Sequence, residues 1–126
     1  MSKKNQQLGK FGEESAIDFL KNNGYKILAT NYRTRLGEID IVAKDEGTIC
    51  FIEVKTRLSD RFGLPQEALT RFKQRQIAKT ALHFLKDNSL LEKKARFDVV
   101  SVMARDQAPS IDLIKNAFEM DGSFIY

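Results

Sequence analysis

A single cysteine, Cys50, excludes any disulfide within the chain and points to a reducing compartment, the cytoplasm. The single histidine, His83, has no second histidine or cysteine near it in sequence, which argues against a zinc site. Set between Leu82 and Phe84 in a helical segment, it reads as a packing or surface residue. No stretch approaches the roughly 18 apolar residues of a membrane span, and MSKKNQQLGK opens without the apolar core of a secretory signal. A soluble protein away from membranes is expected. There is no internal repeat and no low-complexity tract. Only residues 1–8 and 119–126 are expected to be loose.

What the chain does have suits one compact domain over residues 1–126: 42% hydrophobic and 30% charged residues. Its formal charge of +4 and pI near 9.2 are compatible with a polyanionic partner, though such a surplus is weak evidence alone. Residues 9–23 have helical period, with Leu8, Gly12, Ala16, Phe19 and Leu20 on one face and Gly24 as a stop. YKILATNY reads as a strand, RTRLG as a basic turn and GEIDIVAK as a second strand. In that strand Ile39, Ile41 and Ala43 alternate against Glu38, Asp40 and Val42. KDEGT is a turn, and TICFIEVKTR a third strand with Cys50, Ile52 and Val54 opposite Phe51, Glu53 and Lys55. RLSDRFGLPQ reads as an exposed loop. The helical segment after it shifts its apolar phase between Ala68, Leu69 and Phe72 and the later Ile77, Ala81, Phe84 and Leu85, predicting a bend or two short helices near Phe72. RFDVVSVM and IDLIKNAF complete the strands. The order α-βββ-α-ββ predicts an α/β fold, a mixed sheet of about five strands flanked by helices.

Burial decides the hairpin register, because a slip of one residue turns every side chain to the wrong face. Matching Ile39, Ile41 and Ala43 to Val54, Ile52 and Cys50 sets Asp40 across from Glu53 and Glu38 across from Lys55. Like charges directly opposed in an antiparallel pair are destabilising, so Asp40 and Glu53 need a reason. A divalent cation supplies one, since Mg²⁺ is commonly held by one or two carboxylates, waters and phosphate oxygens. The plainer reading is a solvated hairpin with Lys55 paired to Glu38, an arrangement worth little. The pattern Glu-x-Lys is not specific either, for it recurs at Glu92 and Lys94 in a polar stretch that reads as a linker.

The blocks FGEESA, NYRTRLGEIDIVA, FIEVKTR and RFDVV, in that order, resemble the bacterial YraN-like family over about residues 9–102. An acidic residue on one strand and Glu-x-Lys on the next, after a helical Glu, is similar to the PD-(D/E)XK nucleases, especially their small archaeal Holliday-junction-resolvase branch. One departure is that Ile39, not proline, precedes the motif aspartate. The resemblance implies a restriction-endonuclease-like core, Glu13, Asp40 and Glu53 as ligands of Mg²⁺ or Mn²⁺, and Lys55 as the catalytic lysine beside Asp40 and Glu53. Without it, Glu13 reads as a first-turn glutamate favoured by the helix dipole. Glu14 points to the polar side, and Asp98, between Phe97 and Val99, reads as a structural acceptor.

Residues 56–80 hold Arg57, Arg61, Arg71, Lys73, Arg75 and Lys79 against Asp60 and Glu67, a surplus of four that equals that of the whole chain. Such residues would contact DNA phosphates, although each also reads as an ordinary solvated side chain. Lys73 and Gln76 occupy a position from which similar nucleases reach the scissile phosphate. Arg33 and Arg35 lead into the Asp40 strand as a second wall, and Arg57 and Arg75 complete the candidate DNA contacts. The expectation is an endonuclease acting on DNA, with branched or damaged DNA among its candidate substrates. Symmetric cutting of a junction would need a homodimer. The alternatives are a nucleic-acid-binding protein of the same fold with weak or no hydrolysis, and an adaptor whose basic face meets an acidic protein. Metal binding separates the first reading from the others; salt-sensitive DNA binding separates the second from the third.

Overall fold

The structure, a computed structural model, describes residues 3–58, 69–104 and 108–119. Its elements follow the expected order: α1 (Lys3–Asn22), β1 (Lys26–Thr34), β2 (Gly37–Asp45), β3 (Thr48–Arg57), α2 (Arg71–Asp87), β4 (Lys94–Met103) and β5 (Ser110–Phe118). The strands form a five-stranded mixed sheet in sequence order, antiparallel except between β3 and β4. A parallel pair needs a crossover, and α2 makes it. Most of the expected loop, and residues 120–126, lie outside the described residues.

Both faces of the sheet are covered. Ala16 and Leu20 of α1 pack with Ile41, Cys50, Ile52 and Val100 on one face. Ile77, Ala81 and Phe84 of α2 pack with Val42, Phe51 and Val99 on the other. The α1 stripe is the expected one, and the helix ends at Gly24, whose φ of 86° suits a residue without Cβ. Its start is not the expected residue 9. Residues 3–8 lack apolar period, but KKNQQL holds no proline or glycine and is mostly strong helix formers, so the helix runs back to Lys3.

The expected bend near Phe72 is also corrected, because α2 is one helix that begins at Arg71. The Thr70 hydroxyl accepts from the Lys73 N–H at 3.2 Å as its N-cap. The apolar phase shifts because Leu69 belongs to the chain before the helix, and Phe72, in the first turn, is 65% exposed. No helix among the described residues is long and apolar enough to cross a membrane.

Candidate functional site

The β2–β3 ladder runs from Asp45↔Thr48 to Ile41↔Ile52, in the register expected from burial, and stops there. On either side pairing continues, to Thr34↔Gly37 between β1 and β2 and to Arg57↔Met103 between β3 and β4. The sheet is therefore forked, with residues 37–40 on one prong and residues 53–57 on the other. The expected cross-strand pairs of Asp40 with Glu53 and of Glu38 with Lys55 are corrected, since both lie past the last ladder pair. Asp40 Oδ2 accepts the Val54 N–H at 2.8 Å, satisfying a donor that the fork would otherwise strand. Glu38 pairs instead with Arg33 at 3.3 Å.

The alternation expected over residues 38–43 also breaks at Asp40. Ile41 and Ala43 belong to the core under α1, whereas Ile39 joins Val42 under α2. β1 bends at the same level. Asn31 falls between the pairs Thr30↔Ile41 and Tyr32↔Ile39, opposite Asp40, and adopts a left-handed φ of 51°. A residue of this kind re-aims a strand as a bulge does, and asparagine tolerates the conformation better than most.

Two recesses open at the fork. One of about 540 Å³ on the α1 side is lined by Glu13, Asn31, Glu38, Asp40 and Lys55. The other, about 190 Å³ on the α2 side, is lined by Gly37, Asp40, Glu53, Lys73 and Gln76. Asp40 borders both because it sits in the split. Glu53 is 7% exposed, and its Oε1 is buried without a hydrogen-bond partner among the described residues.

Burial, and then the Asp40 charge, push the Glu53 carboxyl up to about 8. Burial likewise raises Asp40, against the lowering effect of the Val54 N–H. Two carboxyls this close disfavour each other's ionised form, and Glu53, the more strongly raised, is the one that keeps its proton longer. Glu13 is raised by burial, then by Asp40 and Glu38. Burial, and then Lys73 beside it, lower Lys55. Shifts in these directions come from burial and from carboxyls crowding one another, which a solvated hairpin face would not produce.

Two glycines set these distances. A Cβ on Gly37 would stand 3.1 Å from Thr80 Oγ1 and 3.4 Å from Gln76 Cβ, so α2 lies almost on the first residue of β2 and holds Gln76 over the narrow recess. A Cβ on Gly12 would stand 2.8 Å from Thr56 Cβ, so α1 crosses β3 in contact and carries Glu13 to the fork. Gly12→Ala is expected to lower stability by roughly 1–3 kcal/mol through overpacking. Gly9→Ala, in the same helix with nothing within 4 Å of its added Cβ, is expected to gain about 0.5–1 kcal/mol. Urea midpoints of the two variants check the contrast, and a Gly12→Ala protein as stable as Gly9→Ala would contradict the close crossing.

Of the residues singled out in the sequence, Glu13, Asp40, Glu53, Lys55, Lys73 and Gln76 line the recesses. Arg33, Arg35 and Arg75 are exposed and Arg57 is half-buried; none of the four is a described lining residue. Asn31 and Gly37 went unnoticed in the sequence, where the only signal was a residue type suited to left-handed φ and one suited to close approach. Among the described residues no three acidic, histidine or cysteine side chains stand close enough together to make a finished metal cage.

The remaining candidates lie elsewhere. His83 bridges Tyr32 and Asp87 at the surface. Cys50 is buried, which pushes its thiol up to about 11 and leaves it inert. Glu92 and Lys94 are exposed at the pole opposite the fork, and Asp98 is buried in an ion pair with Arg96.

Residues 12–102 match the model of Uncharacterised protein family UPF0102, a span that begins at the glycine packed on Thr56 and takes in the whole fork. The UPF0102 protein of Geobacter metallireducens is 52% identical over 120 residues, covering 95% of this chain and 98% of the relative. That of Desulfosudis oleivorans is 49% identical over 119 residues, covering 94% and 95%. That of Trichlorobacter lovleyi is 51% identical over 122 residues, covering 95% and 96%.

Proposed function

The chain belongs to the UPF0102 family, and from that premise and the geometry of its fork we propose a metal-dependent, PD-(D/E)XK-like nuclease that hydrolyses phosphodiester bonds in DNA. The observation that carries the reading is Glu53, a buried carboxyl group with an unpartnered oxygen, lining the same recess as Asp40 where the sheet splits. Such a group calls for a cation. The donors are hard oxygens, which suit Mg²⁺ or Mn²⁺. Asp40 and Glu53 would anchor the ion, with Glu13 closing from the α1 side; two carboxylates suffice where waters and a phosphate complete the shell.

When bound, the ion supplies a more acidic water and neutralises charge gathering on the phosphate. The chain's own groups do the rest. Lys55, half-buried beside Glu53, orients the attacking water and holds or moves its proton, and burial and the neighbouring Lys73 lower its pKa, which makes its proton easier to give up. Lys73 and Gln76, held over the narrow recess by the contact at Gly37, donate to the non-bridging oxygens. The test is a gel assay on linear, nicked and four-way DNA with Mn²⁺ or Mg²⁺. Cleavage is expected with the wild type, and none with chelator, Glu53→Gln or Lys55→Ala.

A second reading is a DNA-binding protein of the same fold with weak or no hydrolysis, which the exposed cations Arg33, Arg35, Lys73 and Arg75 would serve without any metal. Uncut DNA with salt-sensitive binding would leave that reading standing. Under both, replacing Lys73 and Arg75 with Ala is expected to weaken binding uniformly across sequences. It should flatten the slope of log affinity against log salt by roughly one unit per lost phosphate contact. Anisotropy titrations at several salt concentrations measure that slope, and an unchanged one would move the binding face away from α2.

A further inference from the structure

Five large apolar side chains stand exposed among the described residues: Phe11, Leu36, Leu58, Phe72 and Leu91. Single exposed apolar residues are ordinary. The placement of these is not. Phe11 precedes Gly12, the residue packed on Thr56. Leu36 lies in the turn beside Gly37, Leu58 follows the last residue of β3, and Phe72 precedes Lys73 of the narrow recess. Four of the five thus adjoin fork residues in the chain, at the end of the sheet where β2 and β3 part, although none is itself a described lining residue of either recess, and each is joined in sequence to a cation: Lys10 to Phe11, Arg35 to Leu36, Arg57 to Leu58, and Arg71 and Lys73 on either side of Phe72. Leu91, at the opposite pole, is followed instead by Glu92.

Cations interleaved with water-facing aromatic and aliphatic side chains at the fork end of the sheet suit a ligand that is a polyanion with flat apolar faces. Single-stranded nucleic acid is such a ligand, because its bases present faces for stacking while its phosphates meet the cations. A continuous duplex is a poorer match, since its base faces are already covered by their neighbours. A protein partner would favour a patch core depleted of charge, whereas here every apolar residue has a cation beside it.

We propose that this end of the sheet stacks on unpaired bases, so that the preferred ligand is DNA with a single-stranded gap or flap next to duplex, not continuous duplex. Phe11 and Phe72 cover base faces, and Leu36 and Leu58 wedge the strand open. The inference rests on the reading that the fork faces a DNA phosphate, but it concerns binding and needs no cleavage.

The test uses the full chain in chelator, where cutting is suppressed. Anisotropy compares a continuous duplex with one of equal length carrying a short gap, and 2-aminopurine in the gap reports stacking. The wild type is expected to favour the gapped DNA and to quench the probe. Phe72→Ala and Phe11→Ala should each weaken gapped binding about tenfold, the size of one lost base stack, with duplex binding unchanged. Phe72→Trp should retain the preference, and Arg35→Ala should weaken both DNAs alike. Equal wild-type affinity for both DNAs, or loss of duplex and gapped binding in parallel in Phe72→Ala, would overturn the proposal. A protein that prefers gaps but never cuts would sink the nuclease reading alone, and one that cuts without preferring gaps would sink this inference alone.

Discussion

Asp98→Ala is expected to destabilise the fold by about 3–5 kcal/mol, the usual cost of breaking a buried ion pair on one side, and so to take up much of a small domain's margin. The Asp98 side chain is 0% exposed and accepts from Arg96 Nε at 2.8 Å and from the Asn116 N–H at 3.0 Å. Arg96 in turn donates to Tyr25 at 2.8 Å and to Asp45 at 3.2 Å, so one guanidinium ties together the start of β1 and the strands β2 and β4. Removing the carboxylate leaves the Arg96 Nε–H and a β5 N–H without their acceptor, with Asp45 the guanidinium's remaining counter-charge. Asp98→Asn should cost less, because an amide oxygen still serves Asn116. The network runs from Asp98, paired with Ile52 in mid-sheet, through Arg96 to Tyr25 and Asp45 at the end away from the fork, and it shares no side chain with the recesses, so the surviving folded protein should keep its DNA affinity and its response to Mn²⁺. Urea unfolding measures the first quantity and metal titration the second. A variant that unfolds like the wild type but ignores Mn²⁺ would make Asp98 part of the functional site.

That end of the sheet and the strands that meet there were legible in the sequence because side-chain alternation governs them. TICFIEVKTR is β3 from end to end, and matching apolar faces recovered the register from Ile41↔Ile52 to Asp45↔Thr48. The fork was not legible. Register arithmetic carries a ladder on past Ile41, whereas the actual end of pairing depends on how β2 twists with β1 at Asn31 and leans on α2 at Gly37. Those are tertiary contacts with no period in the sequence. The same limit hid the start of α1, where polar residues extend a helix without an apolar stripe, and made exposed Phe72 look like core. Asp40, Glu53 and Lys55 were still found as one constellation, since their residue types and spacing survive the loss of the pairing once assumed between them.

Mn²⁺ is expected to stabilise the wild type by mass action, by about 2.7 kcal/mol at a hundredfold excess over its dissociation constant. Asp40→Asn and Glu53→Gln should each abolish most of that gain. Lys55→Ala should keep it, because the ligands remain and a neighbouring positive charge is gone. The pH dependence follows from Glu53, whose carboxyl is raised in the folded protein from 4.5 to about 8. A raised carboxyl binds its proton more tightly folded than unfolded. Its contribution to stability is therefore fully present below 4.5 and is lost as pH climbs through about 8. Metal-free wild type should lose stability across that window, and Glu53→Gln, which has no proton to lose, should lose less. Mn²⁺ competes with the Glu53 proton, so its stabilising effect should be larger at the alkaline end of the window than at the acid end. If the face were merely a solvated hairpin, Asp40→Asn would relieve like-charge repulsion and leave stability equal or slightly higher, with no metal effect at any pH. Thermal melts of the four proteins across that window, with and without Mn²⁺ and DNA, separate the two outcomes. A wild type whose melt ignores Mn²⁺ even with DNA present would end the metal-site reading and leave Glu53 as a buried carboxyl that keeps its own proton.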